Sequence, residues 1–87
     1  MKYNKIRATV RGTTCEEKPF KENIEFELIP PKGKANYGTG YYMIVKVQGE
    51  KHYIDVRYEK TTDIEILADR WIKNYYGKNA KEITKQF

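Results

Sequence analysis

The sequence predicts an α+β fold, a four-stranded antiparallel sheet (ββββα) with one C-terminal amphipathic helix packed on one face and a short extra C-terminal segment. Three observations carry this expectation. Residues 6–11 and 24–29 alternate apolar and polar side chains, the signature of half-buried strands. Residues 41–58 read as a hairpin around a central glycine turn. Residues 64–75 repeat apolar side chains every three or four positions, as a helix with one buried stripe does.

The first strand places Ile6, Ala8 and Val10 on one side, and the second places Ile24, Phe26 and Leu28 there, with Glu25 and Glu27 facing away. Between them Gly12 to Asn23 reads as a polar connection with Phe20 as its large apolar anchor. Pro30-Pro31 ends the second strand, because proline cannot donate to a ladder. Lys32 to Gly40 reads as a basic, glycine-containing loop.

For the hairpin, Gly49-Glu50 is expected to form a two-residue type II′ turn, with glycine first. Counting outward pairs Val47 with His52, Val45 with Ile54, Met43 with Val56 and Tyr41 with Tyr58 on the inner side. On the outer side it sets Tyr42 opposite Arg57, Ile44 opposite Asp55 and Lys46 opposite Tyr53. Thr62-Asp63-Ile64-Glu65 has the form of a capping box. Ile64, Leu67, Ala68, Trp71, Ile72 and Tyr75 form the stripe that follows, and Gly77 is a natural terminator. Asn79 to Glu82 has the form of a cap for a last short helix carrying Ile83 and Phe87, a piece too short to stand alone that must dock or fray, so whether 79–87 is helical stays open.

The 87 residues form one expected domain, 1–87, with 17 basic against 12 acidic side chains, a net charge of +5. The excess is spread along the chain, with no polybasic tail, and gives a mildly attractive field for anionic partners. No stretch approaches the roughly 20 apolar residues of a membrane-spanning helix. The single cysteine, Cys15, has no partner within the chain, which points to a reducing compartment. With no leader pattern at the first residues, the expected location is cytoplasmic.

Catalytic and metal chemistry find little to work with. One histidine and one cysteine cannot assemble a zinc site. Cys15 in a loop and His52 on the inner side of its strand have nothing that brings them together as nucleophile and base. The glycines between Gly33 and Gly40 lack the Gly-Lys-Ser/Thr ending of a phosphate loop. No catalytic residue, metal or cofactor is therefore expected.

Eight tyrosines are the unusual number. Tyr42 and Tyr53 interleave with Lys46 and Arg57 on the outer hairpin face, and Lys32, Lys34 and Tyr37 lie in the adjoining loop. Aromatic and basic groups mixed on a sheet suit nucleic acid, with rings stacking on bases and cations on phosphate. Against this, tyrosine is a favoured strand residue, and cross-strand aromatic–cation pairs stabilise a sheet with no ligand at all. The outward stripe of Lys5, Arg7 and Arg11 would also be offset if Glu25 and Glu27 pair against it. The expected function is a small non-enzymatic binder of DNA or RNA, with a protein-interaction module, a regulator or inhibitor of a larger partner, as the alternative. The alternative rests on open sheet edges and exposed tyrosines. Ile66, off the helix stripe, is expected to pack against Ile83 and Phe87, and Trp71 to sit in the core.

The segment Gly40 to Gly77, a hairpin followed by a capped helix, is similar to the sheet-plus-helix DNA-binding domains at the N-termini of some tyrosine recombinases. That resemblance implies contact with the major groove through the exposed sheet face. It covers less than half of the chain. Small charged chains of this kind also resemble phage and mobile-element proteins.

Overall fold

The computed structural model describes residues 4–33 and 40–87. Five strands and one helix follow in the order β1 (Lys5–Thr13), β2 (Pro19–Ile29), β3 (Tyr42–Val47), β4 (Glu50–Asp55), α1 (Ile64–Tyr76) and β5 (Ala80–Gln86). A single 3-10 turn, Gly77–Asn79, joins α1 to β5. The strands form one antiparallel sheet in the order β4-β3-β2-β1-β5. The α+β class with a helix on one face is as the sequence predicts, but the sheet has five strands rather than four.

The short C-terminal segment, whose helical state the sequence left open, is the fifth strand. Ile83 and Phe87 match a helical i, i+4 pair, yet the segment lies extended along β1. Without it β1 would be an open edge beside an apolar core. The pairing satisfies that edge and places Ile83 beside Val10, packed against the core. Lys85 then reaches Asp69 on α1 at 2.9 Å, tying strand to helix. Ile66 and Phe87 both remain exposed.

Alternation decides the two faces. Ile6, Ala8 and Val10 of β1, Ile24, Phe26 and Leu28 of β2, and Met43, Val45 and Val47 of β3 are buried beneath α1. The helix returns Ile64, Leu67, Ala68 and Ile72 to the same core. Trp71 is partly buried, edge-on to Phe26 at 5.7 Å. The helix starts one residue later than the capping-box reading. Asp63, not Thr62, is the N-cap, accepting from the Glu65 amide at 2.9 Å. Gly77 ends the helix with φ 59°, its backbone N–H donating a hydrogen bond to the Lys73 carbonyl.

The β3–β4 turn also differs from expectation. Its central residues are Gln48 and Gly49, closed by Val47 opposite Glu50, and both have positive φ (53° and 77°). That backbone is the type I′ pattern, whose twist matches the flanking strands, so the chain accepts a left-handed glutamine to gain it. The pairing moves by two residues: Tyr42 faces Asp55, Met43 faces Ile54, Ile44 faces Tyr53, Val45 faces His52 and Lys46 faces Lys51. A two-residue shift leaves every side chain on its original face. It also ends β4 at Asp55, so neither Tyr41–Tyr58 nor Tyr42–Arg57 is a ladder pair. Val56 is buried just beyond the strand, its amide bonded to the Tyr41 carbonyl at 3.3 Å.

Gly12 has a different reason to be glycine. The β1–β5 register slips between Arg11 and Gly12, and a Cβ on Gly12 would lie 1.7 Å from the Asn79 carbonyl oxygen. At Gly49 nothing lies within 4 Å, and only the positive φ opposes a side chain. Gly49→Ala should therefore cost about 1 kcal/mol, while Gly12→Ala should cost more, because backbone must move. Chemical denaturation of the two variants checks the order; equal losses would contradict it.

Candidate nucleic-acid interface

α1 covers one face of the sheet, and the other face carries the candidate site. Cross-strand partners share a face, so the register reads out this surface row by row. One row runs Lys51 (β4), Lys46 (β3), Glu25 (β2), Arg7 (β1) and Gln86 (β5). The row on one side is Tyr53, Ile44, Glu27 and Lys5. Beyond it come Asp55, Tyr42 and Ile29. On the opposite side, Asn23, Thr9 and Thr84 form a neutral row in which the Thr9 hydroxyl donates to Asn23 Oδ1 at 3.0 Å. A shallow groove of about 500 Å³ runs between the Lys46–Arg7 row and the neutral row, lined in part by Arg7, Thr9, Asn23, Glu25, Lys46 and Gln86, and does not reach Tyr42 or Tyr53.

Of the seven predicted contact residues, Tyr42, Lys46 and Tyr53 occupy this outer face together. Lys32 is exposed on the bend after β2. Lys34 and Tyr37 lie outside the described residues. Arg57 sits apart from the strand ladder. Its guanidinium holds both carboxylate oxygens of Asp55, with Nη2–Oδ2 at 2.7 Å and Nε bonds of 2.9 and 3.1 Å. Its carbon centre lies 5.5 Å from the Tyr58 ring centroid. The side-chain bond from Arg57, followed by the Arg57 amide, lowers the Asp55 pKa from the ordinary carboxylate value. Arg57 thus already has an anion, a fork closed by the two-residue spacing Asp55-Val56-Arg57.

Two cations are differently placed. Lys46 and Lys51 face each other across the hairpin, and among the described residues neither forms an ion pair. Two like charges directly opposed cost a little stability in the free protein, a cost that an anion bound between them would remove. Lys51 is not among the residues expected from the sequence, whose register sets Tyr53 rather than Lys51 opposite Lys46. The expected offset of the β1 stripe is partly present. Lys5 lies opposite Glu27 and Arg7 opposite Glu25, with Arg7 Nε 3.6 Å from Glu25 Oε1. Arg11, however, lies opposite Lys21, with Glu82 on its other side.

The tyrosines divide by what their rings already touch. Tyr75, though half-exposed, is stacked on Trp71 at 4.7 Å, and Tyr76 is stacked on Phe20 at 5.4 Å. Tyr42 and Tyr53, 40% and 67% exposed, have no ring partner among the described residues. No family model, curated protein or solved structure matches the chain.

The opposite side of the sheet holds an aromatic cluster. His52 lies 6.2 Å from Trp71 and 6.4 Å from Tyr75, centroid to centroid, with its nearest carboxylate, Glu50 Oε2, at 3.8 Å. Cys15 is exposed in the β1–β2 turn, 3.9 Å from Asn79 Nδ2. Among the described residues no cluster of three or more His, Cys, Asp or Glu side chains could hold a metal, and no helix is long and apolar enough to cross a membrane.

Among the described residues the buried Tyr76 hydroxyl has no hydrogen-bond partner. Burial, reinforced by the charge of Glu22, pushes its pKa up to about 12. The neutral form is favoured in the fold, so this contribution is intact below pH 10 and is lost as pH rises from about 10 through 12. Tyrosinate absorbance should show one late-titrating group that disappears in Tyr76→Phe. Unchanged late absorbance in that variant would refute the assignment.

Proposed function

We propose that this protein is a non-enzymatic binding module that contacts nucleic acid through the outer face of its sheet. The observation that carries the reading is the pair of opposed lysines, Lys46 and Lys51, beside two exposed tyrosines, Tyr42 and Tyr53; among the described residues these lysines have no ion-pair partner and these tyrosines no ring partner. Cations without protein partners lose little on meeting phosphate, whereas Arg57 would have to leave Asp55. Lys46, Lys51 and Lys32 are assigned to phosphate, and Tyr42 and Tyr53 to the bases. Arg57 is assigned to holding Asp55, whose charge would otherwise repel phosphate.

A protein partner is the second reading. Its supporting observation is the apolar corner of Ile29, Tyr42, Ile44 and Tyr53, bordered by Glu27 and Asp55. Aromatic residues of this kind are enriched at interface centres.

Titration of a labelled oligonucleotide at two salt concentrations separates the readings. Neutralising about three phosphates should make log K fall with log salt at a slope of roughly −2 to −3. Lys46→Ala should weaken binding and lower the slope by about one. Its thermal melt should equal or slightly exceed that of the parent, since among the described residues Lys46 makes no ion pair and its repulsion with Lys51 is relieved. Absence of binding at low salt would reject the nucleic-acid reading in favour of a protein partner.

A further inference from the structure

Resting on the nucleic-acid reading above, the geometry points to a single strand as the form bound, with two consecutive unpaired bases seated on Tyr42 and Tyr53. Tyr53 faces Ile44, which lies two residues along β3 from Tyr42, so the two tyrosines are diagonal neighbours on one face. Such neighbours stand about 7–8 Å apart. That is roughly twice the 3.4 Å advance per nucleotide along a duplex strand. Two adjacent bases can reach both rings only when they have been drawn out of their stack.

Three other features agree. A duplex presents base edges and backbone, never base faces, so exposed rings without ring partners gain little from it. Ile44 lies between the tyrosines as an apolar floor, suited to a base or sugar and not to phosphate. Lys46 and Lys51 occupy the next row, opposite each other, where the phosphate beside the seated bases would run. In Tyr42's own row the charged partner among the described residues is Asp55, already neutralised by Arg57. The interposed Glu25, between Lys46 and Arg7, opposes a straight run of phosphates across the whole sheet. A flexible strand can turn along the hairpin and avoid it; a rigid duplex cannot.

Fluorescence anisotropy on the intact protein tests this, using labelled oligo(dT), the corresponding oligo(U) and a DNA duplex of equal length at low salt. At least one single strand should bind about tenfold more tightly than the duplex. Tyr53→Phe should retain that affinity, because the ring remains. Tyr53→Ser and Tyr42→Ser should each weaken single-strand binding by roughly 5- to 150-fold, the span of one aromatic–base stack. Circular dichroism should show unchanged folds for both. Duplex binding equal to or tighter than single-strand binding, or serine variants that bind as the parent does, would overturn the inference while Lys46→Ala still reported a nucleic-acid face. No binding to any of the three probes would instead reject the underlying reading itself.

Discussion

One helix has one apolar stripe, and it can cover only one side of a sheet. That constraint organises the molecule. The inner positions of β1, β2 and β3 must be apolar to meet Ile64, Leu67, Ala68 and Ile72, and they are buried. The alternate positions on the same strands lie on the face that α1 does not cover and must tolerate water. Their lysines, arginines, threonines and glutamates do so. The surface on which a binding function is proposed is thus the direct counterpart of the core, fixed by the same alternation.

That relation explains why the faces were readable before the pairings were. Assigning Tyr42, Lys46 and Tyr53 outward needs only the period of two, and survives the two-residue correction at the turn. The turn itself was harder. Gly49 could serve as either central residue, and the sequence offers no Asn-Gly pair to force the choice. Twist decided for Gln48-Gly49, at the cost of a left-handed glutamine. The end of β4 was obscured in the same way, since Val56 and Tyr58 continue an alternating pattern beyond Asp55, where the chain already turns toward α1.

β5 was illegible for another reason. Ala80 to Gln86 holds only two apolar residues, Ala80 and Ile83, and no local pattern separates strand from helix over so short a run. Its state is set by β1, a segment at the other end of the described chain that lacks a neighbour on one side. Gly12 was the available sign of close approach, but a glycine near the end of a strand reads equally well as the start of a turn. The electrostatics of the outer face were half visible. Opposed charges on β1 and β2 follow from alternation alone, whereas the Asp55–Arg57 fork depends on a change of chain direction after β4.

The position of β5 also governs how the molecule assembles. β1 and β2 are joined by a short turn, as are β3 and β4, so each of those ladders closes locally. The β1–β5 ladder joins Val10 to Ile83, more than seventy residues away along the chain, and closing so long a loop carries a large entropic cost before any contact rewards it. That closure belongs late in folding, after the hairpins and helix have brought the two segments near. Until then the free side of β1 is an unpaired strand edge, and it is the place from which intermolecular association would begin.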